Sequence, residues 1–111
     1  MNEQRLKVGA VGSQFYLPIL DSAGKVIDCS TVENATLVMV LNGTTREATC
    51  QLIEPLTSEL PWVAVYKTVV GDLHSEGALF FEVWVKFENG DNIPTATAQE
   101  YVCPKLRKDD E

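Results

Sequence analysis

The sequence is poor in the residues that most catalytic and metal sites are built from. There is one histidine, His74, in 111 residues, so any histidine-dependent chemistry must run through that side chain. The three cysteines, Cys29, Cys50 and Cys103, contain no C-x-x-C pair. An odd count without paired spacing gives neither a zinc site nor a complete disulfide framework, and buried free thiols in a reducing compartment are expected. A G-x-S-x-G nucleophile elbow is missing. Gly9-Ala10-Val11-Gly12 is followed by no helical pattern, so no helix N-terminus stands ready for a phosphate. No apolar run approaches the about 18 residues that cross a bilayer, and Met1 to Arg5 lead into no signal-type apolar stretch. Synthesis in a cytoplasm, with no membrane partner, is the expectation.

Positive charge is also scarce, with 9 basic residues against 16 acidic ones and a net charge of −7. That average field repels a phosphate backbone and argues against a nucleic-acid partner. The one cluster of cations, Lys105, Arg107 and Lys108, runs directly into Asp109, Asp110 and Glu111 and reads as a solvated tail.

What the sequence has in quantity is period-2 alternation. Leu6, Val8 and Ala10 alternate with Lys7 and Gly9, and Phe15, Leu17 and Ile19 alternate with Gln14, Tyr16 and Pro18. Asp21-Ser22-Ala23-Gly24 then supplies turn chemistry before an extended Lys25 to Cys29, which predicts a hairpin. Thr36 to Leu41 is a β-branched apolar run. Asn42-Gly43, the strongest short hairpin signal, leads to a partner strand from Arg46 to Ile53 with Ala48, Cys50 and Leu52 on one face. Trp62 to Thr68 is a further strand, and 70–77 a polar corner. Ala78 to Phe87 is the clearest strand, with Phe81, Val83, Val85 and Phe87 facing the core and Phe80, Glu82, Trp84 and Lys86 on the other face. Glu88-Asn89-Gly90-Asp91 turns the chain into a closing strand over Ile93 to Cys103. Only Ser30 to Ala35 has any helical character. About seven to eight strands with regular turn signals predict one all-β domain over residues 1–111. Its architecture is expected to be an immunoglobulin-like sandwich of antiparallel strands. A short N-terminal arm, Met1 to Leu6, and a charged tail after Pro104 are expected to flank it.

Candidate sites are few. Asp72-x-His74-x-Glu76 puts three ligand-type residues on one side of an extended chain, although a polar loop explains them as well. Glu82 and Glu100 are candidates for a carboxylate pair, with solvent-facing charges on the outer face as the plain alternative. Asn34-Ala35-Thr36 and Asn42-Gly43-Thr44 match the glycosylation sequon but read as turns. Trp62, Tyr66, Phe80 and Trp84 are the candidate interaction face, set against the alternative that they are core. No catalytic constellation, cofactor or metal is expected, and a non-enzymatic role follows.

In order and spacing, these segments resemble a known family. Asp21-Ser22-Ala23-Gly24-Lys25 is followed by Val26-Ile27-Asp28-Cys29-Ser30 and Thr36-Leu37-Val38-Met39. Later come Val65-Tyr66, Gly71-Asp72-Leu73, Gly77, Phe81-Glu82-Val83-Trp84-Val85 and Asn89-Gly90-Asp91. The arrangement resembles the immunoglobulin-like domain near the N-terminus of bacteriophage baseplate upper proteins and tail-fibre proteins, with Cys29 standing where that family tends to have leucine. The resemblance covers roughly residues 14–102. It implies a structural virion protein of the tail, baseplate or fibre attachment. Such a protein is made in the host cytoplasm and docks with other virion proteins in an oligomeric assembly. A carbohydrate- or receptor-binding module is the alternative. An antibody-type domain fits worse, because neither a cysteine near Val83 or Val85 nor a corner tyrosine is present.

Overall fold

The computed structural model describes residues 6–104, and within them the chain is all-β, without helices. The strands are β1 (Leu6–Lys7), β2 (Gln14–Pro18), β3 (Val32–Leu41), β4 (Thr44–Ile53), β5 (Val63–Lys67), β6 (Gly77–Phe87), β7 (Asn92–Pro94) and β8 (Ala98–Cys103). They form one mixed sheet in the order β1-β8-β6-β3-β4-β5-β2, with β7 paired to β6. The sheet curls into a half-barrel.

The curl originates in β4. Its first part pairs with β3 as far as Cys50 opposite Ala35, and Gln51 to Ile53 pair instead with β5. A strand that changes partners halfway carries the chain round a corner. It brings β5 and β2 back over the inner face of β6, where the Phe15 ring of β2 meets Phe81 of β6 edge-on at 4.7 Å between centroids. Alternation decides what lies inside: Ala35, Leu37, Met39 and Leu41 from β3, and Leu79, Phe81, Val83 and Val85 from β6, are buried. Removing one such side chain from water stabilises the fold by about 1.5–3 kcal/mol.

Several sequence expectations are corrected. The pairing is not antiparallel throughout: β1 lies parallel to β8, with Leu6 opposite Val102 and Lys7 opposite Cys103. Parallel neighbours need a long connection, and here nearly the whole domain provides it. Leu6 is buried and so belongs to the core rather than to an arm. The remainder of that arm, Met1 to Arg5, and the tail from Lys105 lie outside the described residues. Residues 25–29 form no strand. They touch 19–20 through the Leu20–Val26 bridge and one bond from the Ile27 amide to the Ile19 carbonyl, because β2 finds a longer partner in β5. The segment from Ser30 is not helical: Ser30 and Thr31 form a turn closed by the bond from the Val32 amide to the Cys29 carbonyl at 3.1 Å, and from Val32 the chain is in β3, with a bulge between Val32 and Asn34. Asn34 is therefore a strand residue and not a turn. The closing strand breaks into β7 and β8 because Thr95 turns inward. Its amide donates to the Val83 carbonyl at 2.9 Å and its Oγ1 accepts from the Val83 amide at 3.0 Å.

Candidate functional site

The four aromatics expected to form one face are divided by the fold. Tyr66, on β5, points into the core, 9% exposed, and stacks on Phe15 at 6.3 Å. Trp62 is half-buried ahead of β5, in a hollow with Val26, Pro55 and Leu60. Phe80 and Trp84 both lie on the outer face of β6. Strands β5 and β6 are not neighbours, so neither Trp62 nor buried Tyr66 shares a surface with Phe80 and Trp84.

The outer face of β6 is the more developed surface. Phe80 is 41% exposed, and Tyr101, opposite Ala78 on β8, is 53% exposed. Val40 stands opposite Phe80 and Val38 opposite Glu82, both half-buried, so the apolar strip continues across β3. Trp84 is held in place. Its indole Nε1 donates to Glu82 Oε1 at 3.1 Å, and Thr97 Oγ1 donates to Glu82 Oε2 at 2.9 Å. Beyond Trp84 the surface becomes polar: Asn34, Glu47, Lys86 and Asn92 surround a shallow groove beside the ring.

Glu82 and Glu100 do not form a carboxylate pair. Glu82 is opposite Val38 on the outer face, whereas Glu100 is opposite Leu79, whose side chain belongs to the core-facing row. Residues on opposite faces of a sheet cannot share a substrate atom. Asp72, His74 and Glu76 also diverge: Asp72 is buried, while His74 and Glu76 are exposed and the His74 Nδ1 meets Ser75 Oγ at 3.1 Å.

Asp72 instead organises the end of the half-barrel, a role that the sequence reading missed. Its Oδ2 accepts from the Tyr66 hydroxyl at 2.5 Å and from the Val69 amide at 2.9 Å. Its Oδ1 faces Arg46 Nε at 2.7 Å as an ion pair without the alignment of a hydrogen bond. Burial, then the hydrogen bond and the negative charge of Asp72, push the Tyr66 hydroxyl up to about 12. The signal for this network was the parity of Arg46. It stands opposite buried Met39, on the same row of β4 as Ala48, Cys50 and Leu52. A cation on a core-facing row needs a nearby counter-charge. The three thiols are free. Burial raises Cys29 to about 11, helped by the charge of Asp28, and raises Cys50 to about 11.

No family model matches the chain, and neither the curated proteins nor the solved structures searched contain a match to it.

Proposed function

We propose that this chain is a docking module and a structural component of a bacteriophage particle, held in the tail, baseplate or fibre attachment by contacts with other virion proteins. The observation that carries the docking role is the partly exposed apolar strip of Phe80, Tyr101, Val38 and Val40 on the outer face of the long strands. Aromatic residues on a rigid strand are the usual anchors of protein interfaces. The phage assignment is supported by the order and spacing of the turn motifs, and by the curled all-β sheet, which we interpret as a variant of the immunoglobulin-like sandwich with β4 serving both layers. A role without catalysis accords with the separation of Glu82 from Glu100 and of Asp72 from His74.

Two measurements test this reading. Light scattering of the purified chain across a concentration range is expected to show a closed oligomer or growth of mass, suppressed in a Phe80→Ser, Tyr101→Ser double variant. Mass spectrometry of purified phage particles from the encoding strain is expected to detect the chain. Its absence from particles would overturn the virion assignment.

A second reading, a carbohydrate-binding module, is favoured by one specific arrangement: an indole fixed by Glu82 beside a groove bearing Asn34, Glu47, Lys86 and Asn92. A tryptophan fluorescence change with glycans, lost in Trp84→Ala and with the chain remaining monomeric, would move the assignment to that class.

A further inference from the structure

Strand β5 separates two apolar surfaces that face opposite ways along the molecule. Trp62 precedes the strand and Val69 and Val70 follow it, with the ladder from Val63 to Lys67 against β2 between them. Of the eleven exposed large apolar side chains among the described residues, seven lie at these two ends. Val26, Ile53, Leu56 and Leu60 stand at the Trp62 end. Val11, Val69 and Val70 stand at the other, where the Gly12 amide bonds to the Thr68 carbonyl at 2.9 Å. Leu56 is 98% and Val70 79% exposed. Apolar side chains gathered in patches, rather than scattered singly, mark a contact surface.

The two ends differ in shape and in charge. At the Trp62 end, Val26, Pro55, Leu56, Leu60 and Trp62 line a hollow of ≈ 290 Å³. A cavity of about 150 Å³ accommodates a benzene-sized group, so this one has room for two branched side chains. Asp28 and Glu54 stand in its lining, and no Lys, Arg or His does. At the other end the chain makes a turn, closed by the Asp72 amide on the Val69 carbonyl at 3.1 Å, that carries Val69 and Val70 outward. Cations flank this turn. Lys67 is exposed at the end of β5, and the Arg46 guanidinium lies against Gly71, where a Cβ would be 3.3 Å from its Nη1. The Arg46 side chain is 40% exposed, so the donors not turned toward Asp72 are open to a carboxylate from outside. Asp72, the carboxylate within the turn, is buried. Both surfaces consist of described residues: the turn touches Arg46 of β4, three strands from β8 in the sheet order, and the hollow is at the opposite end of β5.

An apolar turn flanked by cations at one end and an apolar hollow bearing carboxylates at the other are complements of each other. We propose that copies of this chain associate end to end, the Val69–Val70 turn of one copy entering the hollow beside Trp62 of the next. The two valines fill the apolar part of the hollow, and Lys67 and Arg46 meet Glu54 and Asp28. The two surfaces differ and lie at opposite ends, so the contact is heterologous. It repeats along a row that closes into a ring or continues as a filament, according to the rotation between copies. A contact of this size with exposed charge pairs is weak singly, and it gains strength where the outer faces already hold neighbouring copies together. The inference rests on the docking reading for that reinforcement alone. Loss of Phe80 and Tyr101 therefore still suppresses growth of mass, while pairing of the ends persists at high concentration.

The test uses full chains carrying Phe80→Ser and Tyr101→Ser, which silences the outer face. In that background Leu60→Asp blocks the hollow and leaves the turn, and Val70→Asp blocks the turn and leaves the hollow. Isotope-labelled Leu60→Asp chain is titrated at high concentration with unlabelled Val70→Asp chain and followed by amide NMR shifts, after thermal melting has shown that both variants fold. Saturating one-to-one shifts are expected at residues 68–71, and reciprocal labelling is expected to move residues 54–62. Neither variant alone is expected to shift with concentration. Lys67→Glu in the turn-bearing chain is expected to weaken pairing about fivefold, and Glu54→Lys in the hollow-bearing chain to restore most of the loss. No shifts in the mixture, concentration-dependent shifts in either variant alone, shifts confined to other surfaces, or no rescue by Glu54→Lys would each overturn the proposal. Failure here would leave the growth of mass through the outer face untouched, so the two readings fail separately.

Discussion

Asp72 holds three groups at once, and the consequences of removing its partners are graded. Tyr66→Phe deletes one hydrogen bond and leaves Oδ2 with the Val69 amide, so a loss of about 1.5 kcal/mol is expected. Asp72→Ala strands the Tyr66 hydroxyl and the Val69 amide together, and a loss of about 3 kcal/mol is expected, partly recovered in Asp72→Asn. Arg46 adds little to that loss, because at 40% exposure water replaces its partner. Equilibrium urea unfolding of the three variants measures these differences. The same contacts set an alkaline limit. The folded chain holds Tyr66 as the neutral phenol, moved from 10.0 up to about 12. Its contribution is therefore complete below pH 10 and lost as pH rises through 12, and Cys29 and Cys50 add a similar loss from pH 9 to 11. Unfolding midpoints are expected to fall from about pH 9 upward, with the portion between pH 10 and 12 reduced in Tyr66→Phe. A thiol-titrating reagent at neutral pH is expected to modify half-buried Cys103 first and the buried Cys29 and Cys50 only as the chain opens.

At the scale of elements, the β3–β4 hairpin is tied to the approach of β6. Asn42 and Gly43 have φ of 50° and 81°, as a two-residue turn of primed type requires. The Asn42 side chain then reaches across, its Nδ2 donating to Ser75 Oγ and to the Glu76 carbonyl, both at 2.7 Å. Gly77 has φ of 138°, and a Cβ there would lie 2.8 Å from Asn42 Oδ1. Gly77→Ala is therefore expected to cost about 1–3 kcal/mol, against about 1 kcal/mol for Asn42→Gly, which keeps the turn and loses the bonds. Thermal unfolding distinguishes them. The central strands were legible in the sequence because their alternation is long and regular: the Phe81, Val83 and Val85 row of β6 and the Asn42-Gly43 turn lie where the pattern put them. Partners were less legible. Local alternation indicates that Phe15 and Leu17 face inward, but it contains no information that β2 pairs with residues some fifty positions later rather than with Lys25 to Cys29. The inward turn of Thr95 was hidden for a related reason, since a single hydroxyl replaces a ladder bond without altering the apolar pattern. Among the site residues, Phe80 and Trp84 shared a face by parity alone, whereas Trp62 and Tyr66 required the tertiary arrangement.

For the whole molecule, most pairings join distant parts of the chain: β1 with β8, β2 with β5, and β3 with β6. Loop closure has to precede such contacts, so folding in the millisecond-to-second range is expected, and stopped-flow fluorescence of the two tryptophans measures it. The parallel contact between the first and last strands has a mechanical consequence. Because β1 and β8 run in the same direction, the N-terminal end of β1 at Leu6 and the C-terminal end of β8 at Cys103 face opposite ends of that pair. Tension applied through those two points does not peel the strands apart one bond at a time. It loads the β1–β8 ladder, including the bond from the Val8 amide to the Cys103 carbonyl, in shear, so that its bonds resist together and yield together.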